Sequence, residues 1–296
     1  MKKVFLVFFV LIAAFIFAEN WIFEMQTIEL PTGNGKNEIY VFDAPDNLID
    51  VPDEGPIVFQ IDEKGSIYIL DRYQIKKFAE IGEFVCSTRA ADIQIVSFVV
   101  QQNQIWTICG DHQNNVYLRR FDDNCQLIDT HQIENRKNSL AVNQNGKVGL
   151  NLGNNNFLEF NFHGNELSTT DGVLMNNCLL DFNVREGRQK VLIPEENIAL
   201  DLNEIWPNDI GYTLFGFDQI GNLYFNIYSE PRQDSSLGII SGSGEVIETN
   251  VVFPHYTKFG LDFARGISNV VTLNGAIYQM IPMPDKIEIR QWTRVE

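Results

Sequence analysis

The sequence predicts an all-β fold, a six-bladed β-propeller closed by its own N-terminal strand, and three observations carry that expectation. After residue 20 no segment keeps a long apolar pattern at the helical period. Short runs of Val, Ile, Phe and Tyr alternate with Gly, Asn and Asp turns instead. A pair of turns recurs along the chain at a spacing of about 40 residues, the length of a four-stranded blade. The last such unit is one strand short, and the start of the chain holds one strand that belongs to no unit.

The recurrence begins at Asp62-Glu63-Lys64-Gly65, followed by the strand Ser66–Leu70, then Ile75–Phe78, a second turn at Gly82, and Glu83–Val85. The second turn returns at Asn124, after Leu118–Phe121, at Gly164, after Leu158–Asn161, and at Gly244, after Gly238–Ile240. The interval before Gly244 is twice the unit, which places a degenerate copy near residue 204. There Ile198–Leu202 reads as a strand without the glycine, and Glu186-Gly187 supplies its first turn. The other first turns fall at Asn103, Gly146, Gly221 and Gly275. One blade cannot bury both of its faces alone, so repeated units must close into a ring.

The closing unit has strands near Ile267–Leu273, Ala276–Ile281 and Lys286–Arg294. The orphan strand Trp21–Leu30 is the expected fourth, paired with Lys286–Arg294 and covering two sheet edges. Residues 31–55, rich in Pro and Gly, read as the crossover into the first blade. Residues 19–296 then form a single domain.

Residues 1–18 read as a secretory signal. Lys2 and Lys3 precede an apolar run of 14 residues, Val4–Phe17, and Ala18 offers a small residue before Glu19. A helix of that length reaches about 21 Å, short of a hydrocarbon core of about 30 Å, so cleavage is expected rather than anchoring. The product is expected in the periplasm or outside the cell, with no membrane association after cleavage. The 296 residues carry a formal charge of −17, and loss of Lys2 and Lys3 makes it −19. Such a surface repels phosphate backbones and anionic headgroups, which excludes nucleic acid as a partner class. Cys86, Cys109, Cys125 and Cys178 show no CxxC spacing. Either Cys109 and Cys125, which flank a hairpin, pair with each other, or all four remain free thiols.

The segment Asp62-x-x-Gly65-x-Ile67-Tyr68-Ile69-Leu70-Asp71, followed by Ile75-Lys76-Lys77-Phe78, resembles an NHL-type propeller repeat, a family that is commonly six-bladed. Two units carry the motif, within 57–85 and 212–248, and the whole of 19–296 carries the period. A second resemblance is local. Glu54-Gly55-Pro56 is similar to the opening of calcium-dependent lactonases of the gluconolactonase family, and that resemblance implies Glu54 as a calcium ligand at the channel mouth. The Pro-Asn-Gly and Pro-Asp-Gly elements of that family are missing, and Trp206-Pro207-Asn208-Asp209 does not replace them.

No phosphate-cradling glycine motif, no GxSxG and no histidine pair at ligand spacing occurs among His112, His131, His163 and His255. The acidic pairs Asp53-Glu54, Asp122-Asp123 and Glu195-Glu196 do not fit a calcium loop. Trp106, Trp206 and Trp292 either pack between blades or line a carbohydrate or peptide groove. The expected function is non-enzymatic: an exported binding or scaffold propeller of the cell envelope or exterior, without cofactor, recognising a protein, peptide or carbohydrate. The alternative is the lactonase-like hydrolase, with calcium. The mature protein is expected to begin near Glu19. N-terminal sequencing of protein from its native host checks this, and an intact Met1–Ala18 on a membrane-embedded product would overturn it.

Overall fold

The computed structural model describes residues 20–43, 54–56, 58–88, 94–134, 139–153, 156–163, 166–175, 179–183, 188–193, 198–207, 211–229, 234–253 and 269–295. The leader, Asp53, the turns at Gly164 and Glu186-Gly187, Cys178, Glu195-Glu196, Asn208-Asp209 and His255 lie outside the described residues.

After β1 (Asn20–Pro31), the strands run in consecutive antiparallel meanders. The first holds β2 (Phe59–Ile61), β3 (Ile67–Asp71), β4 (Gln74–Phe78) and β5 (Phe84–Ser87). The second holds β6 (Gln94–Gln101), β7 (Gln104–Gly110), β8 (Val116–Phe121) and β9 (Leu127–Ile133). The third holds β10 (Ser139–Val142), β11 (Val148–Gly153), β12 (Asn156–His163) and β13 (Glu166–Leu174). A three-stranded sheet follows, with β14 (Leu179–Asn183), β15 (Arg188–Ile193) and β16 (Ile198–Asp201). The fifth meander contains β17 (Gly211–Phe217), β18 (Leu223–Ser229), β19 (Asp234–Ile240) and β20 (Val246–Thr249), with β21 (Val252–Phe253) also on β19. The last contains β22 (Asn269–Val271), β23 (Ile277–Pro282) and β24 (Lys286–Val295).

One turn geometry builds most of these hairpins. In residues 218–222 the Asp218 N–H donates to the Asn222 carbonyl, and the Gly221 N–H donates back to the Asp218 carbonyl. The fourth residue sits at φ +92°, left-handed space that glycine enters without a Cβ penalty. The side chain of the first residue completes the turn. Asp218 Oδ1 accepts from the backbone N–H of Ile220 and Asn222 at 3.1 and 2.9 Å. Its Oδ2 accepts the Tyr224 hydroxyl at 2.9 Å. The same backbone pair recurs at 62–66, 79–83, 111–115, 122–126, 143–147, 241–245 and 272–276. Asp62 and Asp111 repeat the full set, with Tyr68 and Tyr117 as the hydroxyl donors. Asn143 keeps only the two amide bonds. At the second meander's first turn, Gln102 and Asn103 both take positive φ instead, a two-residue connection.

The sheets bury apolar faces against their neighbours. Tyr224 and Ile239 of the fifth meander, Ile277 and Trp292 of the last, and Trp21 and Phe23 of β1 share one cluster. Ile69 and Phe78 of the first meander pack with Met280 and Ile289 of the last. β1 runs antiparallel to β24, from Ile22 opposite Val295 to Pro31 opposite Lys286. Its first two residues also pair in parallel with β20, which the sequence does not announce, so β1 joins the fifth and last meanders in one nine-stranded sheet. Asn250 fixes that seam: its Oδ1 accepts the Phe23 N–H at 2.8 Å and its Nδ2 donates to the Phe23 carbonyl at 3.0 Å.

Two expectations need correction. The degenerate unit near residue 204 has no second turn of the common kind. β16 ends at Asp201, whose side chain caps a single helical turn, α1 (Leu202–Ile205), by accepting the Asn203 N–H. Leu202 is fully buried there, and Pro207 follows the C-cap residue Trp206. The cysteines also differ from both alternatives. Cys86 and Cys125 form a disulfide, with Cα atoms 6.1 Å apart, while Cys109 is free and buried. Cys109 lies opposite Tyr117, and Cys125 follows Phe121 at the far end of the same strand pair. Four strand residues separate those ends by about 13 Å, too far for a disulfide. Cys125 instead occupies the left-handed position of the 122–126 turn and meets β5 of the preceding meander.

Removing residues 20–31 is expected to destabilise the whole molecule rather than fray one edge. Trp21, Phe23 and Leu30 are buried, and side chains of this kind contribute roughly 1.5–3 kcal/mol each, against a typical total of about 5–15 kcal/mol. Thermal unfolding beside the intact protein checks this; an unchanged midpoint in a monomeric product contradicts it. Within the turns, Asp218→Ala is expected to cost about 2–4 kcal/mol, because it also strands a buried tyrosine hydroxyl, and Asp122→Ala about 1 kcal/mol. Adding Tyr224→Phe to Asp218→Ala should recover about 1–2 kcal/mol in a denaturant double-mutant cycle.

Candidate functional site

The first strands of the meanders lie side by side. β2 has β22 on one side and β6 on the other, β10 lies beside β6, and β17 lies beside β22. Gly216 makes the last approach possible, since a Cβ there would come within 2.1 Å of Val271 Cγ1. Hydrogen bonds between meanders fix the arrangement. The Leu140 N–H donates to Ser97 Oγ at 3.0 Å, and the Gln219 N–H donates to the Leu273 carbonyl at 2.8 Å.

These strands line a cavity of about 660 Å3. That size suits a small-molecule ligand, for which sites of about 300–1,000 Å3 are usual. Val99, Leu140, Val142, Leu214, Phe215 and Val271 give it apolar walls. Gln60, Gln101, Gln102, Asn103 and Ser139 contribute neutral amides and a hydroxyl. Asp62 and Glu63 are the carboxylates among the described lining residues, and none of those residues is Lys, Arg or His. Asp62 is committed to its own turn: it accepts from the N–H of Lys64 and Ser66 and from the Tyr68 hydroxyl at 3.0 Å. Burial, reinforced by the Asp62 charge and hydrogen bond, pushes the Tyr68 hydroxyl pKa well above its ordinary value, so this phenol stays protonated.

The residues singled out from the sequence lie elsewhere. Glu54 pairs its backbone with Phe42, its side chain is exposed, and it is not part of the cavity wall. His112 and His163 are exposed, while His131 packs on the Phe162 ring at a centroid distance of 5.3 Å. Among the described residues no three His, Cys, Asp or Glu side chains gather into a metal-holding group. Asp122 serves its turn, and Asp123 pairs with Lys77 beside the disulfide. The hydrogen bond from Lys77 holds the Asp123 carboxyl below the usual carboxylate range. Trp106 and Trp292 are buried between sheets rather than displayed. Trp106 meets Phe162 edge-on, and Trp292 meets Phe253 edge-on. Trp206 packs on Tyr212 and Phe225, and its carbonyl accepts the Tyr212 hydroxyl.

The amide-bearing lining residues were not recognisable as a set from single motifs. Gln101 to Asn103, Ser139 and Gln60 share only a position, at or near the first strand of a unit. Aligning the units on their first turns is the signal that finds them.

Comparison with known proteins gives no matching family model and no matching curated protein. Solved structures with a similar chain course include a protein of unknown function from Bacteroides caccae, at 14% identity and a TM-score of 0.40, covering 66% of this chain and 80% of that one. Hsv2 of Kluyveromyces lactis is 10% identical with a TM-score of 0.43, covering 76% and 69%. The WD40 domain of Neurospora crassa Pan2 is 10% identical with a TM-score of 0.38, covering 80% and 74%. At these scores no ligand, partner or activity carries across to this chain.

Proposed function

We propose that this chain is an exported six-bladed β-propeller of NHL type, working in the periplasm or outside the cell, that binds a ligand in its central cavity without transforming it. The cavity carries the reading. First strands of five meanders converge on it, and its polar groups are mainly neutral amides and hydroxyls. Such groups orient a ligand through hydrogen bonds, whereas proton transfer at neutral pH calls for titratable groups at the reacting atom. Six successive meanders, the fifth and last joined through β1, support the blade count. The Cys86–Cys125 disulfide is the kind of cross-link that persists in an oxidising compartment, which agrees with export. The size of the cavity, about 660 Å3, favours a small molecule over the protein, peptide or carbohydrate expected from the sequence.

The test sets binding against catalysis. Calcium titration with a panel of lactones is expected to give no calcium-dependent turnover. Turnover that requires calcium and disappears in Glu54→Gln would replace this reading with a calcium-dependent lactonase that uses Glu54 as a metal ligand.

A further inference from the structure

Resting on that reading of the cavity as a binding site, we infer that its ligand is an uncharged, predominantly apolar small molecule with a hydrogen-bonding end, and that anions are excluded. The walls are aliphatic and aromatic, from Val99, Leu140, Val142, Leu214, Phe215 and Val271. An apolar body gains from leaving water against such a surface, in proportion to the area it covers. Neutral side chains, from Gln101, Gln102 and Asn103 at the end of β6 and in the turn after it and from Gln60 and Ser139 on neighbouring first strands, offer hydrogen-bond partners to a polar group of the ligand. An anion meets the opposite conditions. Its charge loses hydration against the apolar walls, and no described lining residue offers a compensating cation. Asp62 and Glu63 at the same cavity add repulsion.

Two fluorescent probes of nearly the same shape separate the cases. N-phenylnaphthylamine is neutral, and anilinonaphthalene sulfonate carries one negative charge on the same ring system. The native protein is expected to bind the neutral probe saturably, and at least about tenfold more tightly than the sulfonate, a difference of about 1.4 kcal/mol. Ala141→Trp, which fills the cavity, should abolish this binding with the melting temperature kept. Should that variant not fold, Ser139→Trp at the exposed rim serves the same purpose. Val142→Lys places a cation in the wall and should raise sulfonate affinity. Ile81→Lys adds the same charge at an exposed turn and should not, which separates local charge from the net charge of the whole chain. Equal binding of both probes, blocked by the tryptophan, overturns the ligand class and leaves the binding cavity standing. Failure of both probes on the native protein, or binding that survives both tryptophan variants, overturns the cavity reading itself.

Discussion

The five-residue turn anchored by an aspartate is the interaction on which the rest of the structure depends. One carboxylate oxygen gathers the N–H groups two and four residues on, and the other, at Asp62, Asp111 and Asp218, holds a tyrosine hydroxyl six residues on. The first bonds shape the loop. The last ties the loop to the second residue of the next strand, so the turn also sets strand register. Because register decides which side chains face the neighbouring sheet, a slip at one turn would misplace a whole face. Tyr68 and Tyr224 lie fully buried in such faces, and the turn aspartates accept their hydroxyls. Four of these turns, at 62–66, 143–147, 218–222 and 272–276, also mark where first strands stop.

The substitutions in this turn follow the same physics. At residues 143–147 an asparagine replaces the aspartate, and the position six residues on is Gly149 rather than tyrosine. A second carboxylate oxygen buried there would have no hydroxyl to accept, so an amide avoids burying a charge without a partner. Phe157 fills the space beside Gly149, where a Cβ would approach its ring to 2.6 Å. Ser241 and Thr272 preserve one side-chain bond to the amide four residues on. Ala79 preserves none, and the turn at 79–83 stands on its backbone bonds alone.

Local chemistry was the part legible in the sequence. Glycine in the fourth turn position, flanked by alternating Ile, Tyr and Phe, revealed most of the hairpins and their spacing, whereas at 122–126 that position belongs to Cys125, one residue beyond the Asn124 expected. The pairing of β1 with β24 was legible as well, because the last unit lacked one strand and the start of the chain held one to spare. Features decided between units were hidden. Cys86 and Cys125 belong to different meanders, and only the packing of β5 on the 122–126 turn brings them together. The helical turn after β16 hinges on Asp201 finding an N-terminus to cap, a choice that competes with continuing the strand. The cavity wall was hidden for the same reason, since each meander contributes a few ordinary residues that acquire meaning only side by side. Glu54 stood out by its tripeptide context, yet the chain path sets it apart from that wall.

The seam between β1 and β24 also has a consequence in time. Glu29 and Lys286 form an ion pair across 257 residues of sequence. At roughly 5–20 residues per second, a ribosome makes β24 about 10–50 s after β1. During that interval Trp21, Phe23 and Leu30 have no finished surface to cover, and the chain is held short of its final form. The seam therefore forms only when synthesis is nearly complete.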